Sequence, residues 1–288
     1  MSSERPIVDL LIVDLDNTLW DWVDIWGKSF GAMLRQLTLE NEVDPEILKR
    51  EIQAVHQQRN TVEYSFLLDE LPSLANINSK VIESAKYAQS STRFHLMKLY
   101  PHVLSTLAKI KSSGTMVIAY TEGIAFWSEW RIRKSGLDGV IDYLYSSPDH
   151  DFPIGLTPES VRTKPADSYG LRKTVHQEVA KGVVKPSPAV LEQIIYEHGY
   201  TKHRCAYVGD SLAKDIKMAQ DAGVMDVYAE YGQPKRESPE YSLLLDVTQW
   251  DKATIGSEVA SGISATPQFT LERSFSEILG IFEFAGQR

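Results

Sequence analysis

One cysteine, Cys205, stands among 288 residues, which excludes an intramolecular disulfide and fits a reducing compartment. Its place in the apolar run Cys205-Ala206-Tyr207-Val208 reads as a buried strand thiol rather than a nucleophile. Basic charge is also in short supply. Lys and Arg number 30 against 39 Asp and Glu, a net charge of -9, so the chain has no general attraction for nucleic acid or an anionic membrane. Long apolar runs are missing at the start: Met1 to Pro6 is polar, and the run after it is broken by Asp9 and Asp14, unlike a signal peptide or a membrane span. The seven histidines show neither metal-ligand nor triad spacing, and there are no internal repeats or low-complexity tracts. These absences predict a cytoplasmic protein. Nothing in the sequence marks an oligomeric state.

What is present is an ordinary globular composition, 43% hydrophobic, long enough for one large domain or a domain carrying an insert. The distinctive stretch is Ile7 to Trp20, where a largely apolar run ends in Asp14 and Asp16. In an extended chain residues i and i+2 share a side, so both acids can point at one spot beyond the strand end. Like charges that close repel, and the usual remedy is a metal ion or a shared proton. Alone, the pair reads as an acidic turn, with Asn17 and Thr18 supplying turn chemistry.

Further along, periodicity turns helical. Ile25, Phe30, Met33, Leu34 and Leu37 lie on one face, Asp44-Pro45 opens a second helix, and helices are predicted over Val62–Leu71 and Ile77 to about Met97. Residues 22–98 thus form a helical cap, with Trp20, Trp22 and Trp26 as a hydrophobic seam at its entrance; residues 1–21 and 99–288 form the core. A helix from Val103 stopped by Gly114 leads to a strand, Met116–Tyr120, ending in Thr121-Glu122-Gly123. Then come a helix to about Lys134, in which Trp127 and Trp130 face the core, and a strand over Val140–Tyr145. Prolines break the pattern from Ser147 to Gly182, a surface excursion with a helix at Tyr169–Val179. A helix over Ser187–His198, the strand Cys205–Val208, a helix stopped by Gly223 and a last parallel strand, Val224–Ala229, complete the core. The tail holds an apolar patch at Tyr241–Val247, a small-residue loop at Ile255–Thr266 and a terminal helix over Leu271–Phe282. Strands alternating with helices predict an α/β fold, a Rossmann-like doubly wound parallel sheet.

Ligands of such sheets bind beyond the carboxyl ends of the strands. Asp14 and Asp16 lie there after the first strand, Thr121 after the second, and Asp210 with Asp215 after a later one. Lys185, at the start of a helix, adds a cation; Lys164-Pro165 offers the same dipeptide but does not lead into the Cys205 strand. Carboxylates, a hydroxyl and a lysine suit Mg²⁺ and a phosphate better than a proton relay. As lone residues, Thr121 would be a helix cap, Lys185 a solvated lysine and Asp215 a partner for its helix dipole.

Together these residues resemble the haloacid dehalogenase superfamily. Asp14-Leu15-Asp16-Asn17-Thr18 is similar to its first motif, Thr121 to the second, Lys185 to the third, and Gly209-Asp210-Ser211 with Asp215 to the fourth. The resemblance covers about Ile7 to Ala229 and implies a Mg²⁺-dependent phosphomonoesterase acting on a small phosphate ester. Asp14 would be the nucleophile and Asp16 the general acid and base. Thr121, Glu122 and Lys185 would hold the phosphoryl group. Asp14, Asp210 and the main-chain carbonyl of Asp16 would hold the metal, with Asp215 in support. Asp16 separates the chain from halide-displacing members, which lack that acid. A phosphomutase fits the same residues, and a phosphonatase would need an amine such as Lys28. A regulatory or interaction protein on this scaffold is favoured only by Glu122, an acid where the family often has asparagine.

Overall fold

The computed structural model describes residues 5–39, 43–150, 152–248 and 265–286. Its centre is β2 (Leu10–Val13), four residues that are all completely buried, as expected of a strand covered on both faces. On one side of β2 lie β3 (Met116–Ile124), β4 (Tyr143–Ser147) and β5 (Val175–Glu178); on the other lie β6 (Cys205–Gly209), β7 (Met225–Ala229) and β8 (Phe269–Leu271). The order is β5-β4-β3-β2-β6-β7-β8, and every pairing is parallel. A second, two-stranded sheet joins β1 (Ile7–Val8) to β9 (Glu283–Phe284). Side chains alternate between two cores. Leu11, Val13, Val117, Ala119, Ala206 and Val208 face one layer, while Leu10, Ile12, Ile118, Tyr120, Cys205 and Tyr207 face the other. The expected doubly wound α/β fold is what forms, and Cys205 is a buried strand thiol.

The chain leaves β2 for β3 and β4 on one side and returns later to β6 on the other. The carboxyl end of β2 is therefore a topological switch point, where open parallel sheets bind ligands. Helices α4 (Val103–Ser112), α5 (Ala125–Lys134), α6 (Pro188–Glu197) and α7 (Lys217–Ala222) make the crossovers.

The insert is helical, with α1 (Trp22–Thr38), α2 (Pro45–Arg59) and α3 (Ser79–Leu96). Asp21, Asp44 and Asn78 side chains accept from the first-turn amides of the three helices, and Pro45 occupies the first turn of α2. The tail contributes α8 (Pro239–Val247), opened by the Ser238 cap and Pro239, which packs against α1 and α2. Buried His56 of α2 donates from Nδ1 to the Val247 carbonyl at 2.5 Å.

Several elements depart from sequence expectation. Val62–Leu71 is not a helix but contains a 3₁₀ turn, Leu67–Glu70, followed by another at Pro72–Leu74. The predicted helix at Tyr169–Val179 is instead an approach to strand β5. Leu171, Val175 and Val179 have helical spacing, but Gly170 takes φ +69°. The Asp138 carboxylate then accepts from the amides of Arg172, Lys173 and Thr174 at 2.8–2.9 Å, holding them away from helical bonding. Val224–Ala229 is not the last parallel strand, because β8 follows it in the sheet. Leu271 belongs to β8, and the terminal helix shrinks to a 3₁₀ turn, Phe275–Glu277, and Ile278–Ile281. There the Glu277 carboxylate captures the amides of Glu272 and Arg273. Residues 255–264 of the predicted small-residue loop lie outside the described residues. Trp127 and Trp130 are both half-buried; Trp130 packs against the core as expected, whereas Trp127 belongs to the seam between α5 and the insert, donating from Nε1 to the Glu63 carbonyl at 3.3 Å.

Candidate active site

The last sheet bond of β2, Asp14 N–H to the Val208 carbonyl at 2.8 Å, fixes Asp14 at the strand end. The turn beyond it requires a left-handed residue, and Asn17 supplies it at φ 60°. The Asn17 Oδ1 then accepts from the amides of Trp22 and Val23 at 3.1 and 3.3 Å, starting α1. Asp14 Oδ2 accepts from the Thr18 hydroxyl at 3.1 Å, and Asp14 Oδ1 from Lys185 Nζ at 2.5 Å. Asp16 faces elsewhere. Its Oδ1 accepts from the Trp20 indole at 2.6 Å, and its Oδ2 lies 3.6 Å from Arg131 Nη1. Trp20 is thus more than a seam residue.

Lys185, buried, also donates to Asp215 Oδ1 at 2.9 Å and stands 5.1 and 5.5 Å from the ring centres of Tyr120 and Tyr207. Asp215 is held by the Tyr207 hydroxyl at 2.8 Å and by the Ser211 amide at 3.0 Å. It comes from a π-helical turn, Leu212–Ile216, a form often found at functional sites. Gly209 allows its approach: a Cβ there would lie 2.3 Å from Asp215 Cγ. Asp215 therefore orients Lys185.

One oxygen each from Asp14, Asp210 and Asp215 lies within 4.8 Å of the others. Burial pushes the Asp14 carboxyl up to about 7; Lys185 opposes the rise, and Asp215 and Asp16 add to it. Asp210 is raised well above the ordinary carboxylate range by burial and then by Asp215 and Asp14. Burial alone would lower the Lys185 ammonium, but Asp14 and Asp215 raise it well above its usual value. With all three carboxylates ionised, one ammonium would leave an excess of negative charge on hard oxygen donors, a set that fits a divalent cation such as Mg²⁺.

Thr121 is buried inside β3 rather than capping a helix, and its Oγ1 accepts from the Gly123 amide at 3.1 Å. The Glu122 carboxylate accepts from the Lys185 amide at 2.9 Å and pairs with Lys214 at 3.1 Å, so its charge is matched. Both residues line a cleft of about 810 Å³ with Asp14, Asp16, Lys185, Asp210 and Asp215. Lys164, the rival of Lys185, is exposed on the excursion. Lys28 is paired with Asp24 on the outer part of α1.

Other residues at the site had no motif to announce them. Glu63 of the insert lines the cleft, and its carboxylate is paired with Arg131. The tail closes another wall through Gln233 and Arg236. Gly232 makes that closure possible, since a Cβ there would fall 1.8 Å from the Asn17 carbonyl oxygen. The Tyr231 hydroxyl donates to the Thr18 carbonyl at 2.6 Å, and Gln233 Nε2 to the Asp210 carbonyl. The excursion adds Ser147, His150, Lys181 and Gly182. Its edge strand is tied by Ser146 Oγ to His176 Nε2 at 2.8 Å and His176 Nδ1 to Glu129 at 2.9 Å. That is the bonding order of a hydrolytic triad, but Ser146 is completely buried, so the series is a strut.

A family model described as haloacid dehalogenase-like hydrolase matches residues 8–223. The chain belongs to this family. It is similar to the glyceraldehyde 3-phosphate phosphatase of Methanopyrus kandleri, 23% identical over 81% of this chain and 88% of the relative. It is also similar to the enzyme of that name from Methanocaldococcus jannaschii, 22% identical over 81% and 90%. Among solved structures, 2-haloacid dehalogenase from Pseudomonas syringae shares the fold with TM-score 0.52 and 17% identity, over 96% of this chain and 98% of that one. The chain is therefore a hydrolase of haloacid dehalogenase-like type. No helix among the described residues is long and apolar enough to cross a membrane.

Proposed function

We propose that this family member is a Mg²⁺-dependent phosphomonoesterase that works through an aspartyl-phosphate. The observation that carries the reading is the grouping of Asp14 with Asp210, Asp215 and Lys185, beside a separate second acid, Asp16. Asp14 attacks phosphorus; the phosphorus–oxygen bond to the leaving group breaks, and Asp16 gives that oxygen its proton. Water then attacks the phosphorus of the aspartyl-phosphate, Asp16 takes the water's proton, and Asp14 and inorganic phosphate are released. Thr121, the backbone at Glu122 and Lys185 hold the phosphoryl oxygens. Asp14, Asp210 and the Asp16 main-chain carbonyl would hold Mg²⁺, which supplies positive charge against the developing phosphoryl charge. The helical insert serves as the cap over a small substrate, and the relatives make glyceraldehyde 3-phosphate the first ester to assay.

The test is hydrolysis of an aryl phosphate with and without Mg²⁺, comparing wild type with Asp14→Asn. The expected outcome is turnover that needs the metal and falls by at least about 10³-fold in the variant, the scale of a lost nucleophile. Turnover indifferent to chelator, or to the substitution, overturns the assignment.

A further inference from the structure

The insert contributes Trp22, Asn60, Thr61, Val62 and Glu63 to the cleft wall. Glu63 is the charged member of this set, and it is held from several sides. Trp26 of α1 donates from Nε1 to the Val62 carbonyl at 3.2 Å, and Trp127 of α5 donates to the Glu63 carbonyl. The Glu63 carboxylate pairs with Arg131, whose other terminal nitrogen lies 3.6 Å from Asp16. One guanidinium therefore spaces the insert's acid from the acid that would protonate the leaving oxygen. Arg131 is buried, as is Arg93, whose guanidinium stacks on Trp127 at 4.1 Å. Neither arginine is among the cleft-lining residues, whereas Asp16 and Glu63 both are. The leaving-group side thus presents carboxylate oxygens with their cations behind them. The lysines and arginine on the wall, Lys181, Lys185, Lys214 and Arg236, all belong to core segments. Lys214 is paired with Glu122 beside Lys185, and Arg236 follows the loop bonded to Asp210. Lys185 and Lys214 thus place positive charge at the phosphoryl end.

From this asymmetry we propose that Glu63 is a specificity-determining residue, accepting hydrogen bonds from a leaving group with hydroxyl or amine donors and repelling one with a carboxylate or second phosphate. The inference rests on the phosphomonoesterase reading and adds the substrate class. A neutral, hydroxylated leaving group can donate to Glu63, Thr61 and Asn60; an anionic one meets the Glu63 carboxylate on the wall, with Arg131 set behind it.

The experiment compares kcat/KM for glycerol 3-phosphate and phosphoglycolate, with p-nitrophenyl phosphate as reference, in wild type and Glu63→Gln. Wild type is expected to favour glycerol 3-phosphate by about tenfold or more, and the substitution to shrink that ratio by at least about threefold by turning Arg131 from a paired to an attracting cation. The ratio cancels any general loss of activity in the variant. Wild type using phosphoglycolate as well as glycerol 3-phosphate overturns the inference, even should Glu63→Gln fail to fold. So does a folded variant with an unchanged ratio. Wild type that fails on p-nitrophenyl phosphate as well overturns the phosphatase reading itself, and this inference with it.

Discussion

Gly209 shows how much of the site depends on single atoms. Its missing Cβ leaves room for the Asp215 carboxylate, which in turn holds Lys185 against Asp14. Adding a methyl group 2.3 Å from Asp215 Cγ must push either the strand end or the carboxylate away, and the carboxylate's turn is the softer element. Gly209→Ala is therefore expected to fold at a cost of about 1–3 kcal/mol while losing about 100-fold in kcat, the effect of displacing a catalytic group by an ångström. Circular dichroism melts beside aryl phosphate kinetics check this. A folded variant with wild-type kcat would mean that Asp215 does not set the position of Lys185. Tyr207 belongs to the same chain of support, because its hydroxyl donates to the Asp215 oxygen that also receives Lys185.

At the scale of elements, the insert is clasped to the tail. Helix α8 lies on α1 and α2, and the clasp includes His56 Nδ1 to the Val247 carbonyl, Gln53 to the Thr248 carbonyl and Lys49 to Asp246. Burial lowers the His56 imidazole from 6.5 to about 4, the bond to Val247 opposing only in part. The folded pKa is depressed, so the unfolded chain binds the extra proton between pH 6.5 and 4. Stability is then fully present above pH 6.5 and is lost as pH falls toward 4, by up to about 3 kcal/mol for a shift of this size. Urea titrations at pH 4.5 and 7.5 should show that loss in wild type and a smaller one in His56→Asn, whose side chain does not titrate. Equal losses in both proteins would remove His56 as the acid-sensitive group. Sequence alone gave no hint of this clasp, since nothing local in Tyr241–Val247 says which surface its apolar face covers. By contrast β2, β3, β6 and most crossover helices were legible, because buried strands and capped helices carry their signal in consecutive residues. Residues 169–179 misled for the same reason: their apolar spacing is helical, and the override comes from Asp138, more than 30 residues earlier in the chain.

Across the whole molecule, the sequence placed the motif residues in order but had no means of showing that Arg131 and Glu63 join them, since neither belongs to a motif and they meet only when α5 and the insert pack. What the assembled site costs the fold can be measured. With Asp14 raised to about 7, the metal-free native state keeps a proton that the unfolded chain releases above about pH 4. Metal-free stability therefore falls as pH rises from about 4 to 7. Mg²⁺ needs the ionised carboxylates and relieves their repulsion, so its stabilisation should grow over the same window. At a hundredfold excess over Kd, binding to the native state adds about 2.7 kcal/mol, a rise in Tm of several degrees for a chain of this length. Thermal melts with and without Mg²⁺ should give a larger shift at pH 7.5 than at pH 5.5, and Asp210→Asn should lose most of it. A shift that is independent of pH and survives that substitution would place the cation away from Asp14 and Asp210, and would separate the acidic cluster from the metal chemistry proposed for it.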